Sequence, residues 1–332
     1  MSMTSRPVKK VFLAWKSACT RSHNQAQHFG AQEIYIWPFA GRKSVVTLLA
    51  RYAVSFFTTL RVLHRVRPDV VFTLNQPPFL ILAIFLYTRL VEGAYILDSH
   101  SAAFNDRKWA WFRPMYRFIA ARALLNINTN TYHQKLVESW GGRSCIISDV
   151  PIDHDQTYTP IEVEERSVAV VLSFMFDEPV QAIWDAARLT PDVHFYVTGN
   201  YRKADAELLQ NTPQNIHLLG YVSTEEYFRM LISVKGVMVL TTRDHTMQMG
   251  AYEAMSLEQP IITSDWEILR ESFGNGAVYV NNSASSISQG VLQLIEEHAK
   301  YLSAIKTQRQ VRREYFERVR KEILDLVERE RQ

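Results

Sequence analysis

Residues 236–265 read GVMVLTTRDHTMQMGAYEAMSLEQPIITSD, and this stretch decides the fold. The apolar run 236–240 is the pattern of a buried strand, and the polar run 241–248 is a loop. From Met249 apolar residues fall at helical spacing to about Leu257, before Pro260 stops the helix and 260–263 (PIIT) returns to strand. Strand, polar loop, helix and strand in that order is the repeating unit of a parallel sheet. A loop at the carboxyl end of such a strand is where open α/β sheets bind ligands. The amino end of a helix at Met249-Gly250 presents unpaired N–H groups and a positive dipole end, which suits a diphosphate. Glu253, one turn in, carries two acceptor oxygens, enough for two ribose hydroxyls. The plainer alternative is a first-turn acid that complements the helix dipole.

The same rhythm extends outward in both directions. Apolar strand patterns recur at 168–173, 193–198, 216–219 and 277–280, making six strands in the second half with the two above. The first half repeats it at 10–14, 33–37, 69–74, 94–97, 125–128 and 145–148, with a long amphipathic helix over 44–67 and a helix opening at Pro78. Between Asp149 and Arg166 the pattern stops in a polar, proline-containing linker. The expectation is two α/β domains, 1–150 and 151–332, the second closing in charged C-terminal helices, of which the last fits either packing across the other domain or a solvated tail.

A length of 332 residues, 47% apolar and 21% charged, agrees with two ordinary globular domains. Two cysteines, Cys19 and Cys145, are too few for a disulfide framework. The apolar stretch at the start is too short for a signal-peptide core, and the run 79–88 is too short to span a bilayer, so a cytoplasmic protein is expected. Charge is uneven: residues 1–150 carry 19 Lys and Arg against 7 Asp and Glu, residues 151–332 carry 18 against 27. A basic first half calls for an anionic partner, unless the opposite charges serve only to dock the halves. The helix 44–67 with Tyr52, Phe56 and Phe57, together with Arg42, Lys43, Arg107, Lys108, Trp109 and Trp111, has the composition of a contact with an anionic membrane surface, on the inner face of the plasma membrane. No stacking-platform motif supports nucleic acid, and no G-x-G-x-x-G follows the first strand to support a dinucleotide oxidoreductase.

The stretch YEAMSLEQPIITSD, followed by an apolar strand and Asn281-Asn282, resembles the (L/Y)EAMAxGxPVVxSD segment of family-4 GT-B glycosyltransferases. Gly220-Tyr221-Val222 with Glu226 and Tyr227 resembles the family's G-x-V…el-Y segment. PDVHFYVTGN, ending at Gly199, resembles its PdvxfxxvGxG strand, and RPDVVFTLNQPPFL and YILDSHSAAF resemble first-domain segments. The resemblance implies two Rossmann-like domains with parallel sheets facing a central cleft. It implies a metal-independent glycosyltransferase without a cofactor, using a UDP- or GDP-linked sugar and a saccharide or lipid-linked acceptor in polysaccharide biosynthesis. Glu253 maps onto the ribose-binding Glu, Gly250 and Met249 onto the diphosphate helix, and the backbone at Tyr221 and Val222 onto the place beside the base. Asp98 and His100, at a strand's carboxyl end, become candidates to touch the transferring sugar or take the acceptor's proton.

Two departures qualify the match. The family's first Glu of E-x7-E is His245 here, beside Asp244, and both are candidates to bind the sugar. The cation usual in the first C-terminal loop is missing from LSFMFDEP, leaving Arg243, Lys203 or Arg202 to supply it. A nucleotide-sugar epimerase and a catalytically inactive sugar-nucleotide-binding partner stand as the competing readings.

Overall fold

In a computed structural model the chain is described over residues 6–17, 20–39, 44–99, 104, 107–148, 151–154 and 157–330. Its contacts divide it into two units, Met1–Val150 with Tyr315–Gln332, and Pro151–Glu314.

The first unit runs β1 (Lys10–Ala14), α1 (Thr20–Phe29), β2 (Gln32–Tyr35), α2 (Val45–Val66), β3 (Val70–Leu74), α3 (Pro78–Leu90), β4 (Ala94–Ser99), α4 (Arg113–Ala120), β5 (Leu125–Asn128), α5 (Thr131–Ser139) and β6 (Ser144–Ile146). All strands pair in parallel, in the order β2-β1-β3-β4-β5-β6. β3 is buried at every residue because helices cover both faces of the sheet, which is why it reads as a continuous apolar run. Helix α2 starts where Ser44 accepts from the Thr47 amide at 3.1 Å and stops at Arg67 in the left-handed conformation, ahead of Pro68. Proline at the first position of α3 fixes its start.

The second unit runs β7 (Ser167–Val171), α6 (Val180–Leu189), β8 (His194–Thr198), α7 (Ala206–Gln210), β9 (Ile216–Gly220), α8 (Thr224–Ser233), β10 (Gly236–Val239), α9 (Met249–Ser256), β11 (Ile261–Ser264), α10 (Glu267–Phe273), β12 (Ala277–Val280), α11 (Ala284–Glu296) and α12 (His298–Glu330). Its parallel order is β12-β11-β10-β7-β8-β9. The strand order reverses between β7 and β10, and that switch point opens the crevice in which a doubly wound sheet seats a ligand.

The last helix corrects the expected boundary at residue 332. Tyr301 and Ile305 of α12 bury in the second unit, but Phe316, Val319, Ile323 and Val327 bury in the core of the first, against residues such as Phe12 and Phe72. The spacing of those four side chains makes one helical stripe. Tyr315 donates to Ile146 O at 3.2 Å and Arg320 to His28 O at 3.1 Å, fixing the same segment. Of the two readings the sequence allows for this helix, the one in which it packs across the other domain is the one the stripe supports.

Candidate nucleotide-sugar site

The site in the second unit is built on the β7/β10 switch point. Gly250, in the first turn of α9, lies so close to the sheet that an added Cβ would come within 2.9 Å of Val171 and 3.4 Å of Val239. This approach brings the amino end of α9 to the carboxyl ends of β7 and β10. No side chain caps that end, since Gln248 makes no capping bond, and Met249 is partly exposed there.

Thr241, just past β10, is fixed by a closed ring of bonds. Its N–H donates to Ser264 Oγ at 2.9 Å, Ser264 donates to Asn282 Oδ1 at 2.7 Å, and Asn282 Nδ2 returns to Thr241 O at 3.0 Å. The Trp266 indole donates to the same carbonyl at 3.0 Å. The loops after β7 and β10 are tied together, the Thr242 amide donating to Asp177 O at 2.7 Å. Ser264 and Asn282 were legible only as members of the SD and Asn-Asn motifs, and their role in positioning Thr241 comes from the structure.

Glu253 is partly buried, and its Oε2 accepts from the Tyr227 hydroxyl of α8 at 2.6 Å. Burial pushes its carboxyl above the usual carboxylate range, partly offset by the Tyr227 bond. Burial, and then the neighbouring carboxylate, also raise the Tyr227 hydroxyl, so it stays a neutral donor. A carboxylate with one bond to Tyr227 keeps lone pairs for two further hydroxyls.

Of the other expected residues, Gly199 and Tyr221 stand at the ends of β8 and β9, the Gly199 amide donating to Gly220 O at 2.8 Å. Tyr221 is almost fully exposed. Val222 leads into a capping box, in which Ser223 and Glu226 satisfy each other's amides, so Glu226 caps α8. Asp244 and His245 form a tight turn: His245 has φ +55°, its amide donates to Asp244 Oδ1 at 2.6 Å, and its ring Nδ1 lies 3.5 Å from that oxygen. Arg243 extends over the Phe176 ring, 5.7 Å from its centre.

In the first unit, Asp98 accepts from Arg21 Nε at 3.2 Å and Nη2 at 3.0 Å, and both side chains are buried. Arg21 also donates to the carbonyls of Ile147 and Ser148, each at 3.0 Å. The pair clamps the ends of β4 and β6, a structural use of Asp98 that its place at a strand end did not reveal. Arg21→Lys keeps the charge but loses the fork. It is expected to cost about 2 kcal/mol, read as a lower urea midpoint with unchanged slope; an unchanged midpoint would show the clamp to be dispensable. His100, Arg42 and Lys43 lie outside the described residues, as do the side chains of Arg107 and Lys108.

Residues 174–297 match the family model described as Glycosyl transferases group 1. No curated protein sequence matches the chain. Among solved structures, sucrose-phosphate synthase (tll1590) from Thermosynechococcus elongatus superposes with a TM-score of 0.73 at 12% identity, over 97% of this chain and 98% of that one. Anabaena Alr3699/HepE in complex with UDP-glucose gives 0.68 at 12% identity, over 91% and 94%. The lipopolysaccharide outer core galactosyltransferase WaaB gives 0.62 at 13% identity, over 90% and 95%. Two doubly wound parallel-sheet units in one chain, with these neighbours, define the GT-B fold. The match to the group 1 family covers residues 174–297, within the second unit.

Proposed function

We propose that the chain is a glycosyltransferase that draws its sugar from a UDP- or GDP-linked donor. It passes the sugar to a lipid-linked saccharide at the cytoplasmic face of a membrane, in polysaccharide assembly, without a metal ion. Glu253, held by Tyr227 beside the amino end of α9, carries the donor reading, and the UDP-glucose complex of the Anabaena neighbour supports it. Helix amino ends and cationic side chains can stabilise a leaving diphosphate in place of a metal. The experiment is a thermal-shift series with UDP, GDP, ADP and TDP after chelation. Stabilisation by one of the first two is expected, since a ligand at 100 times its Kd adds about 2.7 kcal/mol. No shift with any of the four, or activity abolished by the chelator, counts against this reading.

The acceptor reading rests on α2. This helix is long and apolar enough to cross a membrane, yet Leu63 is buried in the first unit and the Trp15 indole donates to Thr59 at 2.9 Å. One face is therefore core and the other exposes Val45, Val46, Leu49 and Phe57. Of the aromatics expected to face a membrane, Tyr52 and Phe56 instead pack on the core, Tyr52 against Trp15 and Phe79, and Phe57 faces out. Arg51, lying 4.3 Å over the Trp37 ring and donating to Pro38 O and Phe39 O, ties exposed Trp37 and Phe39 to the same helix.

Burying four such side chains contributes roughly 1.5–3 kcal/mol each, against about 1 kcal/mol per cation at an anionic surface. The apolar term dominates. Binding to phosphatidylglycerol vesicles is therefore expected to weaken with salt but persist, and to disappear in the Leu49→Asp/Phe57→Asp variant. Sedimentation of that variant with vesicles at the wild-type level would remove the lipid from the proposal.

A further inference from the structure

We infer that Lys203 and Arg243 together hold the donor's diphosphate, one from each side of the loop after β7; this rests on the donor reading above. The loop itself, residues 172–179, contains no Lys or Arg. Two of its amides are also committed: Glu178 accepts from Ser173 N at 2.9 and 3.1 Å and from Met175 N at 3.0 Å, holding a turn in which Phe174 has φ +53°. A phosphate placed between this loop and the amino end of α9 must find its positive charge elsewhere.

Strand order supplies it. β7 lies between β10 and β8, so the segments leaving those two strands flank its loop. From the β8 side, Lys203 closes the 3₁₀ turn Tyr201–Lys203 and its Nζ reaches Ser173 O at 3.4 Å. From the β10 side, Arg243 lies over Phe176 of the same loop. Of the two neighbours Arg202 and Lys203, it is Lys203 whose ammonium reaches this loop.

The nearby acids do not consume these cations. Glu178 is bound by amides, Asp177 Oδ2 lies 3.5 Å from the Thr241 hydroxyl, and Asp244 accepts from the His245 amide. Neither Lys203 nor Arg243 forms an ion pair among the described residues. An ammonium and a guanidinium left without carboxylates at one strand edge suit a ligand with two phosphates.

The test is calorimetric titration of the full chain with UDP and GDP, and with uridine and guanosine in competition. The variants are Lys203→Ala, Arg243→Ala, the double variant and Arg202→Ala. Each single change is expected to weaken the preferred diphosphate about tenfold or more, the double change more, with the nucleoside held within about twofold. Arg202→Ala is expected to leave both unchanged, and the double variant to lose most of the salt dependence. Unchanged diphosphate affinity in the double variant, or equal loss for nucleoside and diphosphate, overturns the assignment. If the wild type binds a nucleotide through Glu253 but the double variant is unaffected, this inference fails alone. If the wild type binds no nucleotide, the donor reading fails and takes the inference with it.

Discussion

Glu253→Ala is expected to lower nucleotide affinity by about 10- to 100-fold, the range for losing hydrogen bonds to a charged group, and kcat/KM by at least as much. Tyr227→Phe removes one donor and leaves the carboxylate in place, so a smaller loss is expected. The pH dependence separates a binding role from a packing role. Burial raises the Glu253 carboxyl, so the folded protein holds that proton more tightly than the unfolded chain. The group's contribution to stability is then fully present below the ordinary carboxylate pKa and is lost as the pH rises through the raised one. Nucleotide binding has the opposite sign, because only the ionised carboxylate accepts from two hydroxyls while also holding Tyr227. Affinity should rise with pH over the window in which the ligand-free fold loses stability, and both trends should flatten in Glu253→Gln. Calorimetry and urea denaturation across that window check the pair. Affinity independent of pH in the wild type would leave Glu253 as a packed acid that no ribose touches.

Much of this site is legible in the sequence because its parts are local. The strand GVMVL, the polar loop and the helix from Met249 to Ser256 are fixed by spacing and by Pro260, and observed bounds differ by only a residue or so. What spacing cannot supply is partnership across the fold. Arg21 meets Asp98 from 77 positions away, and Asn282 meets Thr241 from 41. No periodicity announces either. The stripe Phe316, Val319, Ile323 and Val327 was only half legible, since four apolar residues among dense charge fit a helix packed across the other domain and a solvated tail equally until a sheet is known to receive them. The helix 44–67 shows the limit from the other side. Its amphipathic spacing is plain, but which aromatic faces outward depends on Trp15 and Phe79 reaching Tyr52.

Gly199→Ala is expected to destabilise the protein by about 3–5 kcal/mol, combining a φ that side chains avoid with steric overlap. Gly199 has φ +109°, and an added Cβ would sit 1.8 Å from Leu172 O, a backbone atom that cannot rotate away. Gly141 separates the two contributions. Its φ is +84°, but an added Cβ meets nothing within 4 Å, so Gly141→Ala is expected to cost only about 1–2 kcal/mol for the conformation. Urea denaturation of the two variants reads the difference, and equal losses would mean that the ends of β7 and β8 are not in such close contact. The approach matters for function because the turn that follows Gly199 carries Lys203. Forcing the chain away from Leu172 moves that ammonium away from Ser173. Under conditions where the variant remains folded, Gly199→Ala should therefore weaken nucleoside diphosphate more than nucleoside, as Lys203→Ala does. A loss confined to stability would mean that the turn can shift without carrying Lys203 with it.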